Sequence, residues 1–394
     1  MRERARLLAK AAETALPKHV DVCVVGGGAA GLVSAITSAE RGARVVVIEK
    51  DIECGRSILA TGNGRCNFAN TALDCDLYND AAYVSEAVGP SWLGDVLGFF
   101  DECGLMWVEE AQGRLYPLSR QASSVRNVLT ERALRAGVVL ACARTVRAVA
   151  PTAEGFELEV AQGFEGGSVR TMAAARVILA VGGSAIEQLD AAGLSVLPGR
   201  PILCPLACTG PAREALDGRR AHVVARLWRV GNKVAEAAGE VLFRPYGLSG
   251  IVIFDLSRHA RRGDQITLDL LPGIRPSEAE RRARHTLDGI LDPIIARELV
   301  REAGSREAAI TLAKSLPYCV EGPAEASHAQ VTRGGLLTSD FDARTLEAKT
   351  VRGLFACGEA LAVDGPCGGY NLAWAWKSGM VAGTAAAERG CERD

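Results

Sequence analysis

Three glycines near the start of the chain have the spacing of a turn that binds phosphate. From Asp21 the sequence reads DVCVVGGGAAGLVSAITSAERGARVVVIEK, which predicts an apolar strand, a glycine turn, an alanine-rich helix and a second apolar strand. Gly26 permits the tight turn, Gly28 lets a pyrophosphate approach the backbone, and Gly31 lets the helix pack close to the sheet. Free N–H groups and the helix dipole would then bind the anion. The pattern predicts a dinucleotide-binding βαβ unit.

A carboxylate stands at the end of the second predicted strand. Glu49 follows Gly31 by 18 residues. A side chain there accepts hydrogen bonds from ribose hydroxyls and would repel a 2′-phosphate. The alternative is a glycine-rich turn in another α/β fold, but the strand before the glycines and the helix after them favour a dinucleotide. The pattern does not distinguish FAD from NAD.

A second glycine-rich helix start near the C-terminus favours a flavin. The segment GLFACGE predicts a buried strand that ends at Gly358 and Glu359, and GPCGGYNLAWAW predicts a helix that begins after Gly368 and Gly369. A carboxylate in the first position suits a ribityl hydroxyl. A helix N-terminus in the second would stabilise the anionic reduced flavin ring, and NAD needs no such second site. The alternative is a glycine-rich helix start without a ligand.

The loop over residues 53–70, ECGRSILATGNGRCNFAN, is rich in Gly, Asn and Arg, as loops that wrap a ligand are. Arg56 and Ser57 are positioned to meet a pyrophosphate. Arg65 and Asn67 are candidates to lie beside the isoalloxazine ring or to bind substrate. An alternative role for Arg65 is an ion pair with a carboxylate that holds the loop in place.

The composition bounds the class of protein. The chain has 394 residues, enough for two domains, with 48% hydrophobic residues and a formal net charge of −2. The balanced charge gives no reason to expect nucleic acid or an anionic membrane as a partner. The apolar runs are too short for a membrane span. The 12 cysteines form no CxxC pair, so we expect no zinc site, and free thiols in a reducing cytoplasm are the simplest reading.

Changes in pattern along the chain predict a discontinuous first domain. Apolar and helical segments continue to the buried strand RVILAVGG, with one helix expected over 81–104 and another capped by Ser123 or Ser124. Residues 200–272 alternate as in an antiparallel sheet or small barrel, and residues 276–315 read as helical, with Pro293 breaking or starting a helix. We therefore expect the following organisation. A helical extension covers 1–19, an FAD-binding domain covers 20–183 and 331–394, and an inserted domain covers 184–330.

Five segments resemble one family of flavoproteins. They are LATGNGRCN, GRLYPLSRQASSV, RPYGLSGIVIFDLSR, VTRGGL and CGEALAVDGPCGGYNLAWAW. They resemble the BaiN-type, aminoacetone-oxidase-like, FAD-dependent oxidoreductases, and the resemblance runs from about Asp21 to about Gly383. It implies an α/β fold with a Rossmann-like FAD-binding domain, interrupted by a β-barrel-like domain and a small helical subdomain.

The same resemblance implies a set of cofactor-binding residues. They are Gly26, Gly28, Ala29, Ala30, Gly31, Glu49, Lys50, Arg56, Ser57, Asn63, Gly64, Arg65, Cys66, Asn67, Val146, Gly182, Gly183, Gly358, Glu359, Asp364, Gly368, Gly369, Tyr370, Asn371 and Leu372.

Two departures from the family pattern bear on catalysis. After VILAVGG, the loop GGSAIEQLDAAGL is shorter than in most of the family and lacks its glycines. In RPYGLSGI, Pro245 stands where many relatives have histidine, so no catalytic histidine is carried over. Tyr246 then becomes a candidate proton donor, because a phenol can protonate a carbon centre, and a half-buried turn tyrosine is the alternative. Arg65 is the other catalytic candidate.

These inferences predict a cytoplasmic FAD-dependent oxidoreductase. The resemblance favours reduction of a C=C bond in a small, apolar, steroid-like substrate, with NAD(P)H as the possible electron donor. Two alternatives remain: an amine oxidase that uses O₂, and a catalytically impaired FAD-binding sensor or partner protein. Modification of tRNA is disfavoured by the near-neutral charge. The sequence does not indicate the oligomeric state.

Overall fold

The computed structural model describes residues 6–8, 11, 13–163, 168–183, 185–191, 193–211, 214–324 and 329–388. Part of the expected N-terminal extension (1–5, 9, 10 and 12) lies outside them. The chain divides into two compact units, residues 1–200 with 332–394 and residues 201–331. Residues 184–200, which the sequence pattern assigned to the insertion, therefore belong to the first unit, because the change in pattern begins before the chain leaves that unit.

The elements are numbered in chain order. The strands are β1 His19–Val25, β2 Val45–Ile48, β3 Ala69–Asn70, β4 Trp107–Glu110, β5 Arg114–Pro117, β6 Val139–Ala141, β7 Arg144–Thr152, β8 Gly155–Gln162, β9 Val169–Leu179, β10 Asp190–Ala191, β11 Val196–Ile202, β12 Leu206–Thr209, β13 Arg220–Arg229, β14 Asn232–Arg244, β15 Gly247–Ser249, β16 Gln265–Asp269, β17 Leu316–Pro323, β18 Val331–Leu336 and β19 Leu354–Ala356. The helices are α1 Ala29–Ala39, α2 Arg56–Ala60, α3 Ala81–Val88, α4 Trp92–Glu102, α5 Ala122–Arg135, α6 Ile251–Ser257, α7 Pro276–Arg282, α8 Pro293–Ala303, α9 Arg306–Lys314 and α10 Tyr370–Glu388.

A mixed sheet forms the centre of the first unit. Its strand order is β10-β7-β8-β9-β1-β2-β6, and β19 pairs with β9. The β1, β2, β6, β9 and β19 pairings are parallel, whereas β7, β8 and β9 pair antiparallel. Strand β2 is buried along its whole length, as expected for a parallel strand covered on both faces. This sheet carries the glycine turn at the carboxyl end of β1.

Helices α1 and α10 pack with their backbones almost in contact. A Cβ added to Gly379 would lie 2.6 Å from the carbonyl oxygen of Ala30, and one added to Gly383 would lie 2.5 Å from that of Ser34. The Ser38 hydroxyl donates to the Gly383 carbonyl at 2.9 Å. Both helices advance by four residues between these contacts, so they run parallel. Small residues at the interface are what allow this approach.

The first unit also contains a smaller antiparallel sheet, β3-β5-β4, and the helices α3 and α4. Phe100 packs edge-on against Phe68 and Trp376, with ring centroids 5.1 Å apart in both pairs. The Trp376 indole N–H donates to the Phe68 carbonyl at 2.8 Å. These contacts attach α4 and the 53–70 loop to α10.

Two local predictions were wrong. The helix expected over 81–104 is two helices, because Gly89 adopts a left-handed φ of 64° and Pro90 follows it. Neither predicted serine caps α5, since Gln121 is the residue at its N-cap and the Ser124 hydroxyl is bonded to that of Ser119 at 2.7 Å.

The second unit contains a closed barrel of six strands in the order β12-β15-β14-β13-β16-β17. Its core includes Leu227, Phe243 and Tyr318, each fully buried. Helix α8 begins at Pro293, and the Asp292 carboxylate caps it through the N–H groups of two following residues. The predicted α/β fold with a barrel-like insertion and helical segments is thus confirmed.

Candidate functional site

The glycine turn after β1 has no room for side chains. Gly26 has φ of 103°, in the region that favours glycine, and its N–H donates to the Ile48 carbonyl at 2.8 Å. A Cβ on Gly31 would lie 1.9 Å from the Gly26 carbonyl oxygen. The turn therefore requires glycine at both positions, as the sequence pattern indicated.

The N-terminus of α1 retains its positive partial charge. Its first intrahelical bond runs from the Leu32 N–H to the Gly28 carbonyl at 3.0 Å, so the N–H groups of Ala29, Ala30 and Gly31 have no acceptor inside the helix. No side chain of a described residue caps this end, and the first turn contains no acidic residue. The Ser57 hydroxyl lies 3.3 Å from the position of a Cβ on Gly28. The arrangement suits a pyrophosphate.

Glu49 is held at the edge of the same turn. Its carboxylate accepts from the Gly27 N–H at 2.6 Å and from the Asp51 N–H at 2.7 Å, one bond to each oxygen. Burial raises the pKa of Glu49, and the two backbone donors oppose that shift. Each oxygen keeps further acceptor capacity, so the fixed carboxylate can bind the hydroxyls of a ribose.

The 53–70 loop is hydrogen-bonded to the glycine turn near its start, and further on it contains residues with a strained backbone. The Gly55 N–H donates to the Gly27 carbonyl at 2.7 Å. Further on, Asn63 and Cys66 adopt left-handed φ angles of 54° and 56°, which costs about 1 kcal/mol or more for each non-glycine residue. A Cβ on Gly62 would lie 2.8 Å from the backbone nitrogen that follows Cys66. The strain fixes the direction in which the next side chain, Asn67, leaves the backbone.

Asn67 presents an unsatisfied acceptor to the start of α10. Its Oδ1 is buried and bonds to no described residue. It lies 3.0 Å from the position of a Cβ on Gly369, whose φ is 101°. The first intrahelical bond of α10 runs from the Ala373 N–H to the Gly369 carbonyl, so the N–H groups of Asn371 and Leu372 have no acceptor within the helix. A buried acceptor beside a helix N-terminus suits a polar ligand.

The two helix N-termini are offset along one direction. Ala30, in the first turn of α1, packs against Gly379, whereas α10 begins at Tyr370. Because the helices are parallel, the first residue of α10 lies about 14 Å from that contact, toward the N-terminal ends of both helices. The distance follows from a rise of about 1.5 Å per residue. The phosphates of an elongated dinucleotide would lie at one end and its ring at the other. The glycine cradles and the unsatisfied Asn67 oxygen therefore fit FAD.

A third group of residues lies where β19 ends. Gly358 has φ of 64°, and a Cβ on it would lie 2.8 Å from the Ala30 methyl, which places this turn beside the start of α1. The Glu359 carboxylate makes no hydrogen bond to a described residue, and burial, followed by the charge of Asp364, raises its pKa to about 7. Asp364 is buried and bound by Arg333 through both oxygens, at 2.6 and 2.5 Å. Glu359 is free to accept from a hydroxyl-bearing chain.

Other predicted residues have structural contacts. The Asn371 side chain accepts from the Gly365 N–H at 2.8 Å and donates to the carbonyl of the same residue at 3.0 Å, so it shapes the loop before α10. A Cβ on Gly183 would lie 3.0 Å from the Thr332 carbonyl oxygen. Val146 is buried in β7 at a register shift. The remaining predicted positions border the turns already described: Lys50, Arg56, Gly64, Gly182, Gly368.

The two catalytic candidates, Arg65 and Tyr246, lie in different units, and each is described within its own unit. The Arg65 guanidinium binds the Glu110 carboxylate at 2.5 Å and lies 4.2 Å from the centre of the Tyr116 ring, while Arg120 shares Glu110 at 2.9 Å. The geometry of Arg65 is therefore that of the loop-holding ion pair. Tyr246 is in the second unit, partly buried. Catalysis by either residue stays a prediction.

Two contributors were missed from sequence. Arg333 pairs with Asp364 across the fold, and Asn70 donates to the Gly368 carbonyl at 2.8 Å and to the Gln112 carbonyl at 3.1 Å. Arg333 lies within the VTRGGL segment and Asn70 closes the glycine- and asparagine-rich loop. The sequence pattern therefore marked the two positions, but it did not indicate which residues they would bond.

Within the described ranges, no helix is both long and apolar enough to cross a membrane. In the same part of the chain, no group of three or more His, Cys, Asp or Glu side chains is placed to hold a metal ion.

Comparison with known proteins identifies the family. The HI0933-like protein Rossmann domain matches residues 20–385. The chain is 32% identical to the 3-dehydro-bile acid delta(4,6)-reductase of Clostridium scindens, over 93% of this chain and 98% of that protein. It is 26% identical to the ribosomal RNA dihydrouridine synthase of Escherichia coli, over 92% of this chain and 96% of that protein.

Among solved structures, the 3-ketosteroid-delta4-(5alpha)-dehydrogenase of Rhodococcus jostii RHA1 aligns with a TM-score of 0.49 at 15% identity, covering 95% of this chain and 98% of that one. The resemblance found in the sequence motifs is confirmed by the family match. The chain belongs to the HI0933-like family of Rossmann-type flavoproteins, and it is an FAD-dependent oxidoreductase.

Proposed function

We propose that the protein uses FAD to reduce a C=C bond conjugated to a carbonyl group in a small apolar substrate, with NAD(P)H as the electron donor. The observation that carries the proposal is the pair of parallel helix N-termini, one at the glycine turn and one beside the unsatisfied Asn67 oxygen. Two relatives support the reaction class by their names. One reduces a bile acid that carries a 3-dehydro group, and the other converts uridine to dihydrouridine.

Both of those reactions saturate a double bond that a carbonyl polarises. Such a bond accepts hydride at the carbon remote from the carbonyl, and a proton then adds to the other carbon of the double bond. Bound FAD supplies the hydride chemistry. The protein's own contribution is to bind and orient the cofactor, to stabilise developing negative charge, and to deliver the proton.

The described residues divide these tasks. The α1 N-terminus and Ser57 hold the pyrophosphate, and Glu49 accepts from the ribose. The N-terminus of α10 would hold the ring end of the cofactor, and its partial positive charge would favour the reduced state. Asn67 accepts a hydrogen bond from the ring edge. Tyr246 remains our candidate for the proton donor.

Ribosomal RNA is a second candidate substrate. The relatives named as ribosomal RNA dihydrouridine synthases, from Escherichia coli and Haemophilus influenzae, are each 26% identical to the chain. The formal net charge of −2 argues against a large polyanion, because RNA-binding proteins commonly carry a basic surface. We therefore place the small apolar enone first.

An anaerobic titration tests the proposal. The purified, FAD-loaded protein is mixed with NADH or NADPH, and the flavin absorbance is followed. Bleaching, followed by reoxidation on addition of a 3-oxo-Δ4 steroid, is the expected result. Reoxidation by uridine-containing RNA and not by the steroid would select the second candidate. Absence of bleaching by either nucleotide, with turnover of an amine in air, would replace the reductase with the amine oxidase.

A further inference from the structure

Two buried cysteines meet beside the dinucleotide turn. The Sγ atoms of Cys54 and Cys142 are 3.7 Å apart, and both side chains are buried. They come from different segments: Cys54 precedes α2, and Cys142 lies between β6 and β7. Both are free thiols.

Cys54 is part of the wall of the glycine turn. A Cβ on Gly27 would lie 2.5 Å from the Cys54 Sγ and 3.2 Å from the Glu49 Cβ. The residue after Cys54, Gly55, donates its N–H to the Gly27 carbonyl at 2.7 Å. The sulfur therefore fills the space that a side chain on Gly27 would occupy, between the turn and the carboxylate assigned to the ribose.

Cys142 is coupled to the same carboxylate through the backbone. The Ala143 N–H donates to the Asp51 carbonyl at 2.7 Å, and the Arg144 N–H donates to the Glu49 carbonyl at 2.9 Å. The segment that carries Cys142 and the segment that carries Cys54 thus share one hydrogen-bonded network with Glu49. A change in the distance between the sulfurs would therefore move a segment that is hydrogen-bonded to the backbone of Glu49.

We propose that Cys54 and Cys142 form a reversible disulfide when the protein meets hydrogen peroxide, and that the disulfide weakens binding of the dinucleotide at the adjacent turn. The second clause rests on the proposed FAD site; the first does not. A disulfide requires an S–S distance of about 2.05 Å, so the sulfurs must approach, and the Cys54 sulfur or the β6–β7 connection must move relative to Gly27 and Glu49.

The chemistry proceeds in two steps. Cys142 is the more exposed of the two, at 9% against 3% for Cys54, and a hydrogen bond from Cys54 lowers the pKa of its thiol. Its thiolate attacks one peroxide oxygen and the O–O bond breaks; the leaving hydroxide takes up the proton that the Cys142 thiol released, so that a sulfenic acid and water form. The Cys54 sulfur then attacks the Cys142 sulfur, the S–O bond breaks, and a second water leaves. Two thiols are oxidised and one peroxide is reduced; a dithiol reductant reverses the change.

Peptide mapping tests the bridge directly. Trypsin releases Cys54 in residues 51–56 and Cys142 in residues 136–144, each peptide with one cysteine. After peroxide treatment of the full chain, a non-reducing digest is expected to contain these two peptides linked, and dithiothreitol is expected to separate them. Recovery of both peptides unlinked, or of sulfinic acid on either without the linked form, would overturn the proposal.

FAD titration of the reduced, oxidised and re-reduced protein tests the coupling. We expect the dissociation constant to rise about tenfold on oxidation, within the usual range for two coupled events, and to return on reduction. By the same reciprocity, bound FAD is expected to shift the dithiol–disulfide equilibrium of this pair about tenfold toward the reduced form. Cys142→Ser, which cannot form the bridge, should show the same FAD affinity before and after peroxide, and Cys319→Ser, which removes an exposed thiol, should behave as the wild type.

Equal FAD affinity in the linked and reduced forms would overturn the coupling. Failure of the reduced wild type to bind FAD would overturn the assigned cofactor site instead, and the peptide map would still decide the bridge.

Discussion

Replacing Asn67 with leucine is expected to stabilise the apoprotein and to weaken FAD binding. The Asn67 Oδ1 is buried and bonds to no described residue, which costs about 1–3 kcal/mol of folding free energy. Leucine has a similar shape and no polar atom, so the cost disappears. For a unit of this size the melting temperature should rise by about 2–6 °C.

The same substitution removes an acceptor from the ring end of the cofactor site. One hydrogen bond is worth about 1–1.5 kcal/mol, so the FAD dissociation constant should rise about tenfold. Calorimetry of the apoprotein and fluorescence titration with FAD measure the two effects. Their opposite signs distinguish a binding group from a structural one.

Asn70→Leu is the matched control, because Asn70 belongs to the same loop and its side chain is fully used. It donates to the Gly368 and Gln112 carbonyls and accepts from the Ala72 N–H at 2.8 Å. The control should lower the melting temperature of the apoprotein. A destabilised Asn67→Leu apoprotein with unchanged FAD affinity would refute our reasoning, since Asn67 would then serve the fold.

Gly31→Ala should leave the purified protein without bound flavin, because its Cβ would lie 1.9 Å from a carbonyl oxygen. Gly94→Ala, with open space around the added methyl, should retain the yellow colour and gain about 1 kcal/mol of helix stability. Gly379→Val should cost about 1–3 kcal/mol in thermal unfolding and weaken FAD binding, by pushing α10 away from α1. Since the folded pKa of Glu359 is raised to about 7, its contribution to apoprotein stability is present at low pH and lost as pH rises through 7. The loss of unfolding free energy is at most about 3 kcal/mol, and less for a partly exposed group. The unfolding free energy, measured by urea denaturation from acid to neutral pH, should change less with pH for Glu359→Gln than for the wild type.

The parts of the site that local sequence determines were predictable. The glycine turn, the helix after it and the carboxylate at Glu49 lie within one βαβ unit. Their spacing in the sequence is therefore enough to predict their arrangement in space. The start of α10 could be predicted for the same reason, since Gly368 and Gly369 mark it. The barrel of the second unit followed from alternating residues between turns.

Contacts between distant segments could not be predicted in this way. The orientation of Asn67 depends on Gly369, and the Arg333–Asp364 pair joins two segments of the folded unit. For Arg65 the sequence left open both a place beside the ring or substrate and a loop-holding ion pair, because its partner, Glu110, lies on a strand that only the folded sheet places nearby. The break between α3 and α4 was visible as Gly89 and Pro90, but the apolar residues on both sides concealed it.

The packing of α1 against α10 has a consequence for the order of events during synthesis. One half of the cradle, at the start of α1, is synthesised before the second unit, and the other half, at the start of α10, is synthesised after it. A nascent chain that lacks α10 exposes the small-residue face of α1. Such a chain cannot retain the cofactor until α10 has been synthesised. Loading with FAD is therefore a late event, and a prematurely terminated product would remain colourless and open to proteolysis.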